Sequence, residues 1–305
     1  MFNPLYLAQS ALLIECIPEV AKQSCFALKG GTAINLFLRD MPRVSVDIDL
    51  TYLPLKTRDE SLQEIDETLL QVKVDIERNV TGSYVKERRI QGVVAKLSVV
   101  RVETEIKIEP NLDLRGCVGE PIVGELSPEA QQYFQSSART QILAVEDLYG
   151  GKLCAALDRR HPRDLFDVRL LLSHESITSA IRRAFTVYLA GHTRPVHELL
   201  ALNLIDIADA FQRQFTGMAR EDVVLDELLD ARRELIAKMA SSLDEDEKSF
   251  LLSMKSGEPD WDVLGINGLD RMPALQWKLL NIRYRMDSRK REKQLNMLQE
   301  LLGTG

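Results

Sequence analysis

The stretch Val46-Asp47-Ile48-Asp49-Leu50 alternates apolar and acidic side chains without a break. In a β-strand, residues two apart leave the same face of the sheet. One face of this strand is therefore apolar and needs cover, while the other projects two carboxylates side by side. Two like charges that close repel unless a cation lies between them. Beside phosphates, the hard, oxygen-seeking ion that suits such a pair is Mg²⁺. An exposed edge strand carrying two solvated acids is the plain alternative, but Val46, Ile48 and Leu50 argue for a covered sheet instead.

Upstream, Lys29-Gly30-Gly31-Thr32 sets a tight glycine turn between a short strand, Cys25 to Leu28, and the start of a helix that runs to Leu38. Free backbone N–H groups at such a turn can face a phosphate. Taken alone, a glycine pair is more often only a turn. Neither this turn nor Gly150-Gly151-Lys152-Leu153 has the spacing of a Walker loop. Downstream, Arg101 to Glu109 reads as a strand with Glu103, Glu105 and Glu109 at one parity. A two-metal site commonly needs a third carboxylate from a neighbouring strand. Glu109, at the strand's end before Pro110, is preferred for that role, and Glu105 is the second choice.

Organisation follows from a change of period. Before residue 110 strands mix with helices, at about Leu5 to Ala21 and Asp59 to Glu77, and a Gly- and Pro-rich loop runs on to about Pro128. From Val145 the apolar spacing is helical, over Val145–Leu157, Arg163–Leu172, Ser176–Ala190, Pro195–Phe211, Glu221–Ser241, Glu245–Ser253 and Pro273–Arg285. The chain is expected to be α+β, with a mixed-sheet domain over residues 1–172 followed by an all-helical domain over 173–305. At 45% hydrophobic and 28% charged residues it can bury a substantial core. No run approaches 18 uncharged apolar residues, so neither a membrane span nor membrane binding is expected, and the cytoplasm is the expected location. Four cysteines without a C-x-x-C pair signal neither a disulfide framework nor a zinc site.

A net charge of −7 disfavours non-specific nucleic-acid binding, unless positive charge is concentrated locally. Candidate concentrations are Arg159-Arg160-His161-Pro162-Arg163, Arg182-Arg183, and Arg283-Tyr284-Arg285 running on to Arg289-Lys290-Arg291. On the helix Val145–Leu157, Lys152 lies among Leu148, Leu153, Ala155 and Ala156, so its charge needs a partner, either a triphosphate or Asp164. Asp164 and Asp167 fall at i and i+3 on one face of the next helix.

Glycine turn, short helix, D-x-D strand and acidic third strand together resemble the DNA polymerase β-like nucleotidyltransferase superfamily. The segments Leu28-Lys29-Gly30-Gly31-Thr32-Ala33, Arg43 to Leu50, Ile106 to Glu109, Asp147 to Ala156 and Arg163 to Val168 resemble more narrowly the AbiEii/AbiGii toxins, the nucleotidyltransferase halves of abortive-infection toxin–antitoxin pairs. The resemblance covers about the first 170 residues. It implies a polymerase β-like domain and an Mg²⁺-dependent enzyme. Such an enzyme transfers a nucleoside monophosphate from an NTP to RNA, foremost the 3′ end of tRNA, and releases pyrophosphate. It further implies Asp47 and Asp49 as catalytic metal ligands with Glu109, Gly30, Gly31 and Thr32 as the phosphate turn, and Lys152 and Asp164 as catalytic residues. Ser45 is placed at the nucleotide face, where phosphorylation would silence the enzyme. A cognate antitoxin from the same operon is the expected partner. The competing readings are a same-fold enzyme that modifies a protein or small molecule, and a non-catalytic nucleotide-binding module.

Overall fold

The structure, a computed structural model, describes residues 2–159, 161–201 and 206–304. Arg160, in the first basic run, lies outside them. Two compact units emerge: residues 1–144 with 213–223, and residues 145–212 with 224–305. Ser173, near which the domain boundary is expected, lies in the last turn of a helix of the second unit.

The first unit begins with α1 (Pro4–Ala21), capped by the Asn3 side chain on the Leu5 N–H. Then follow β1 (Phe26–Lys29), the single turn α2 (Gly30–Thr32), a π-helix (Ala33–Leu38) and β2 (Asp47–Tyr52). Helix α3 (Arg58–Asn79) opens on a capping box in which Thr57 and Glu60 satisfy each other's backbone N–H. The strands β3 (Tyr84–Ile90), β4 (Val93–Arg101) and β5 (Thr104–Asn111) complete one side of the sheet. On the other side lie β6 (Ile122–Glu125), α4 (Pro128–Phe134) and β7 (Arg139–Ile142). The seven strands run in the order β3-β4-β5-β2-β1-β7-β6. The sheet is mixed: β2 is parallel to β5, β1 is parallel to β7, and the remaining pairs are antiparallel.

Register decides which residues share a face. Ile48 pairs with Ile108 and Ile108 with Leu97, all fully buried. Tyr52, at the same parity as Ile48, reaches Glu64 of α3 with its hydroxyl, so α3 covers this face. The opposite face carries Asp47 and Asp49, as the alternation requires.

The expected single strand from Arg101 to Glu109 is in fact a hairpin end, because Val102 turns the chain with φ 56° between β4 and β5. The expected loop to Pro128 contains β6, and β3, β7 and α4 carried too little periodicity to be read.

The second unit is all-helical among the described residues. It comprises α5 (Val145–Asp158), α6 (Pro162–His174), α7 (Ser179–Gly191), α8 (Val196–Leu200) and α9 (Ala208–Gln214), whose last residues enter the first unit. It continues with α10 (Leu225–Ser242), α11 (Glu245–Ser256), α12 (Pro273–Leu280), a second π-helix (Asn281–Arg285) and α13 (Ser288–Leu302). The helix expected over Pro195–Phe211 is interrupted: α8 ends at Leu200, and residues 202–205 lie outside the described residues. Gly150 explains one tight packing. A Cβ there would sit 2.8 Å from the backbone nitrogen of Phe185, so α5 and α7 approach at this glycine. The α+β class with a mixed sheet and flanking helices is the one expected. Among the described residues no helix is long and apolar enough to cross a membrane. All four cysteines are free, with Cys16 and Cys154 buried.

Candidate active site

The glycine turn is built to lie against the acidic strand. Antiparallel pairing sets Lys29 opposite Asp49, and Gly30 then takes φ +69°, a conformation that favours glycine. A Cβ on Gly30 would stand 2.7 Å from Oδ2 of Asp49, and one on Gly31 would collide with the guanidinium of Arg43. Both glycines thus lie in close approach, one to a carboxylate and one to a buried cation, and any side chain at either would have to displace that group. Arg43 is 2% exposed and donates from Nη1 to the Val44 carbonyl at 3.0 Å. Asn35, fully buried on the π-helix, donates to the Gly31 carbonyl at 2.9 Å.

Thr32 holds the turn to the strand. Its buried hydroxyl donates to the Asp47 carbonyl at 2.5 Å and lies 2.9 Å from the Ser45 hydroxyl. Ser10 of α1 donates to the Ser45 carbonyl at 2.7 Å. Ser45 precedes β2, which begins at Asp47, so strand parity does not govern it. It is buried beside Thr32, whose hydroxyl links it to the start of the strand at Asp47.

Parallel pairing of β2 with β5 sets Asp47 beside Lys107 and Asp49 beside Glu109. Glu109 is thereby the acid adjacent to the D-x-D pair. Glu105 instead pairs with Val100, beyond the start of β2. Glu109 is ion-paired with Lys96 of β4. Burial holds the Lys96 ammonium below its ordinary value, helped by Lys107 and Arg88, while Asp47 and Glu105 oppose the shift. Lys29, Arg43, Lys96 and Lys107 therefore place positive charge around the acids. Lys107 was visible in the sequence at the parity of Glu105 and Glu109, but its neighbour Asp47 became evident only from the register.

The donor set can be tested against Mg²⁺. Among the described residues no three His, Cys, Asp or Glu side chains are drawn together as a protein-only cage would need. Mg²⁺ commonly binds through one or two carboxylates with substrate phosphates and water completing its shell. Asp47 and Asp49 fit that pattern, with the missing Gly30 side chain leaving room at Oδ2 of Asp49. Glu109 is held by Lys96 and is not gathered with them.

In the second unit, Lys152 of α5 and Asp164 of α6 meet as one buried cluster. Lys152 Nζ lies 2.8 Å from Oδ1 of Asp164 and 2.9 Å from Oδ2 of Asp167, and all three side chains are at most 5% exposed. Arg159, largely exposed, reaches Asp164 Oδ2 at 3.0 Å. Burial alone would raise the Asp164 carboxyl, but the charges of Lys152 and Arg159 outweigh it and hold the group below its ordinary value. The partner that Lys152 needs is thus supplied by Asp164 and Asp167. The turn that opens α6 places Asp164: His161 caps it by accepting from the Arg163 N–H at 3.2 Å, and Pro162 fixes the first helical φ. Gly151, unlike Gly150, faces open space.

A mixed sheet whose glycine turn abuts a D-x-D strand is the framework of a nucleotidyltransferase. The structure of MenT4, a nucleotidyltransferase toxin of Mycobacterium tuberculosis H37Rv, matches this chain with a TM-score of 0.58, covering 97% of this chain and 92% of that one at 20% identity. The likeness is one of fold. The model of the nucleotidyl transferase AbiEii toxin family of type IV toxin–antitoxin systems matches residues 11–280, and the chain belongs to that family. No curated protein matches it in sequence.

Proposed function

We propose that the enzyme transfers a nucleoside monophosphate from an NTP to an RNA acceptor, foremost the 3′ end of tRNA, with release of pyrophosphate. The observation that carries this reading is the contact of the Gly30 turn with Asp49, which puts backbone N–H groups and the D-x-D carboxylates at one place on the sheet. In the reaction the acceptor hydroxyl oxygen bonds to the α-phosphorus and gives up its proton to water, the bond from that phosphorus to the oxygen bridging it to the β-phosphate breaks, and pyrophosphate leaves with the electron pair. Asp47 and Asp49 would hold Mg²⁺, which supplies neutralisation of phosphate charge and activation of the hydroxyl. Gly30 and Gly31 offer their backbone to the phosphates, with Thr32 and Ser45 fixing the turn behind them. Glu109 serves as the third carboxylate once Lys96 releases it.

By family likeness Lys152 and Asp164 take part as well, Lys152 acting on phosphate charge and Asp164 keeping it protonated and oriented. The nucleotidyltransferase domain expected over residues 1–172 takes in α5 and most of α6 with the mixed-sheet unit. The enzyme would act in the cytoplasm, and an antitoxin from the same operon is its counterpart.

The test is incubation of purified protein with each NTP labelled at the α-phosphate, total RNA and Mg²⁺. Label in RNA, abolished by Asp47→Ala and by Asp49→Ala, is the expected result. Label confined to a protein or small molecule would overturn the assignment of RNA.

A further inference from the structure

The three basic stretches of the sequence meet different fates in the fold. Arg159 is tied to Asp164, and Arg182 to Asp244 and Glu247, so both serve the structure. The stretch from Trp277 to Arg291 differs. It holds six cations and one carboxylate, in a chain whose net charge is −7. That carboxylate, Asp287, is engaged as the cap of α13, accepting from the backbone N–H groups of Arg289 and Lys290. Among the described residues, no ion pair engages Arg283, Arg285, Arg289, Lys290 or Arg291. Two cations are partly withdrawn from solvent, Lys278 of the stretch itself and Lys255 of α11. Lys255, which donates to Gln294, is pushed down to about 8 by burial and by Lys290 and Arg291; Lys278, which donates to the His192 and Arg194 carbonyls, is also pushed to about 8, by burial and by Lys255 against the opposing charge of Glu198. Positive charge thus outnumbers carboxylates here, and the exposed Arg285, Arg289 and Lys290 are the cations left to meet an anion.

The same segment exposes aromatic surface. Trp277 is 51% exposed and Tyr284 78%, with Leu280 between them at 48%. The spacing, three and then four residues, puts all three along one helical stripe. The π-helix Asn281–Arg285 carries the stripe past the end of α12. Arg285 lies over one side of the Trp277 ring, its guanidinium carbon 4.8 Å from the centroid, in a cation–π contact. Exposed aromatic planes interleaved with unneutralised arginines are what unpaired nucleotides require, since bases stack on rings and on guanidinium planes while phosphates meet the cations. A double helix would offer phosphates to the cations but no free base faces to the rings.

We infer that the α12–π-helix–α13 surface, with Trp277 and Tyr284 as stacking planes and Arg285, Arg289 and Lys290 as phosphate contacts, binds an unpaired segment of RNA without reading its sequence. The inference rests on the reading of RNA as acceptor. It adds where the acceptor is gripped and that the gripped part is single-stranded.

The test is binding rather than transfer, with the full chain, no NTP, and a fluorescently labelled unpaired RNA octamer as the probe. Trp277→Ala and Tyr284→Ala should each weaken binding about tenfold with little change in the salt dependence. Arg289→Ala with Lys290→Ala should lower the salt slope by roughly 0.7 for each phosphate no longer neutralised. Intrinsic fluorescence gives a second readout. The other tryptophan, Trp261, packs near Phe250, so quenching by the octamer should report Trp277. These side chains are exposed, so their replacement leaves the fold intact, as circular dichroism will register. The surface assignment is overturned if both aromatic variants bind as wild type, if duplex RNA or inorganic polyphosphate competes as well as the octamer, or if an acidic protein partner depends on these residues and RNA does not. Binding that responds to these variants in a chain that labels no RNA would instead overturn the transfer reading and leave the surface standing.

Discussion

Lys152 is a buried ammonium between two buried carboxylates, and that geometry fixes what its loss must do. Lys152→Ala removes the cation that the buried Asp164 and Asp167 share, while the largely exposed Arg159 still reaches Asp164, a defect of about 3–5 kcal/mol for a broken buried pair. The variant should therefore melt well below wild type as well as lose transfer, whereas Asp47→Ala and Asp49→Ala, which relieve a repelling pair, should lose transfer and keep their melting temperature. Equal melting of Lys152→Ala and wild type would show that the cluster is loosely coupled to the fold. The Asp164 carboxyl gives the same cluster a pH signature. Its folded value lies below its ordinary 3.8, so the stability it contributes is full above that value and is lost as pH falls through the lower folded one. Melting temperatures recorded from pH 5 downward should show this loss, and Asp164→Asn should flatten it. That Lys152 needs a partner, with a triphosphate and Asp164 as the two candidates, was legible because a lysine on an apolar helix face is a local fact. That Asp167 shares Lys152 equally was not legible, since it depends on how α5 and α6 pack.

Among elements, the β4–β5 hairpin shows where sequence reading runs out and why. Val102 is 91% exposed and sits at φ 56°, a conformation that a β-branched residue adopts only at a cost. Valine followed by glutamate carries no turn chemistry, so the run from Arg101 to Glu109 reads as one strand. Where the chain turns decides which acid stands beside Asp49, because the register of β5 is set from there. The alternation of Val46 to Leu50, by contrast, is self-contained and was enough to place both aspartates on one face. Val102→Gly, which suits the first central position of a two-residue hairpin turn, should raise stability by up to about 1 kcal/mol. Chemical denaturation would measure it, and no gain would mean that the turn relaxes without strain. The Lys96–Glu109 pair belongs to the same hairpin. Lys96→Met should free Glu109 to join Asp47 and Asp49, and a several-fold gain in Mg²⁺ affinity, read by calorimetry on the nucleotide-free protein, is the expected outcome. Unchanged affinity would exclude Glu109 as a ligand.

At the scale of the whole molecule, residues 213–223 return to the first unit after the chain has built much of the second. They pair with the approach to the acidic strand. Arg43 forms a β-bridge with Ala219, the Val44 N–H donates to the Met218 carbonyl at 2.9 Å, and the Arg220 N–H donates to the Pro42 carbonyl at 2.9 Å. At the N-terminus, the Asn3 N–H donates to the Gly217 carbonyl at 2.8 Å. The segment three to five residues before Asp47 is therefore clamped by partners some 175 positions later in the chain. In a chain ending at Gln212, hydrogen exchange at the Val44 amide should rise to the rate of an open loop, and protection equal to full length would show that the clamp is dispensable. No pattern in the sequence announced this pairing, because Pro42 to Val44 and Met218 to Arg220 carry no periodicity of their own. The clamp also bears on the life of the nascent chain. While a ribosome is still translating the middle of the message, the glycine turn and both aspartates are already outside but their approach is unfixed. A chain so arranged fixes the approach to its acidic strand late in its own synthesis, and abandoned or truncated translation products carry that strand without the brace that sets it.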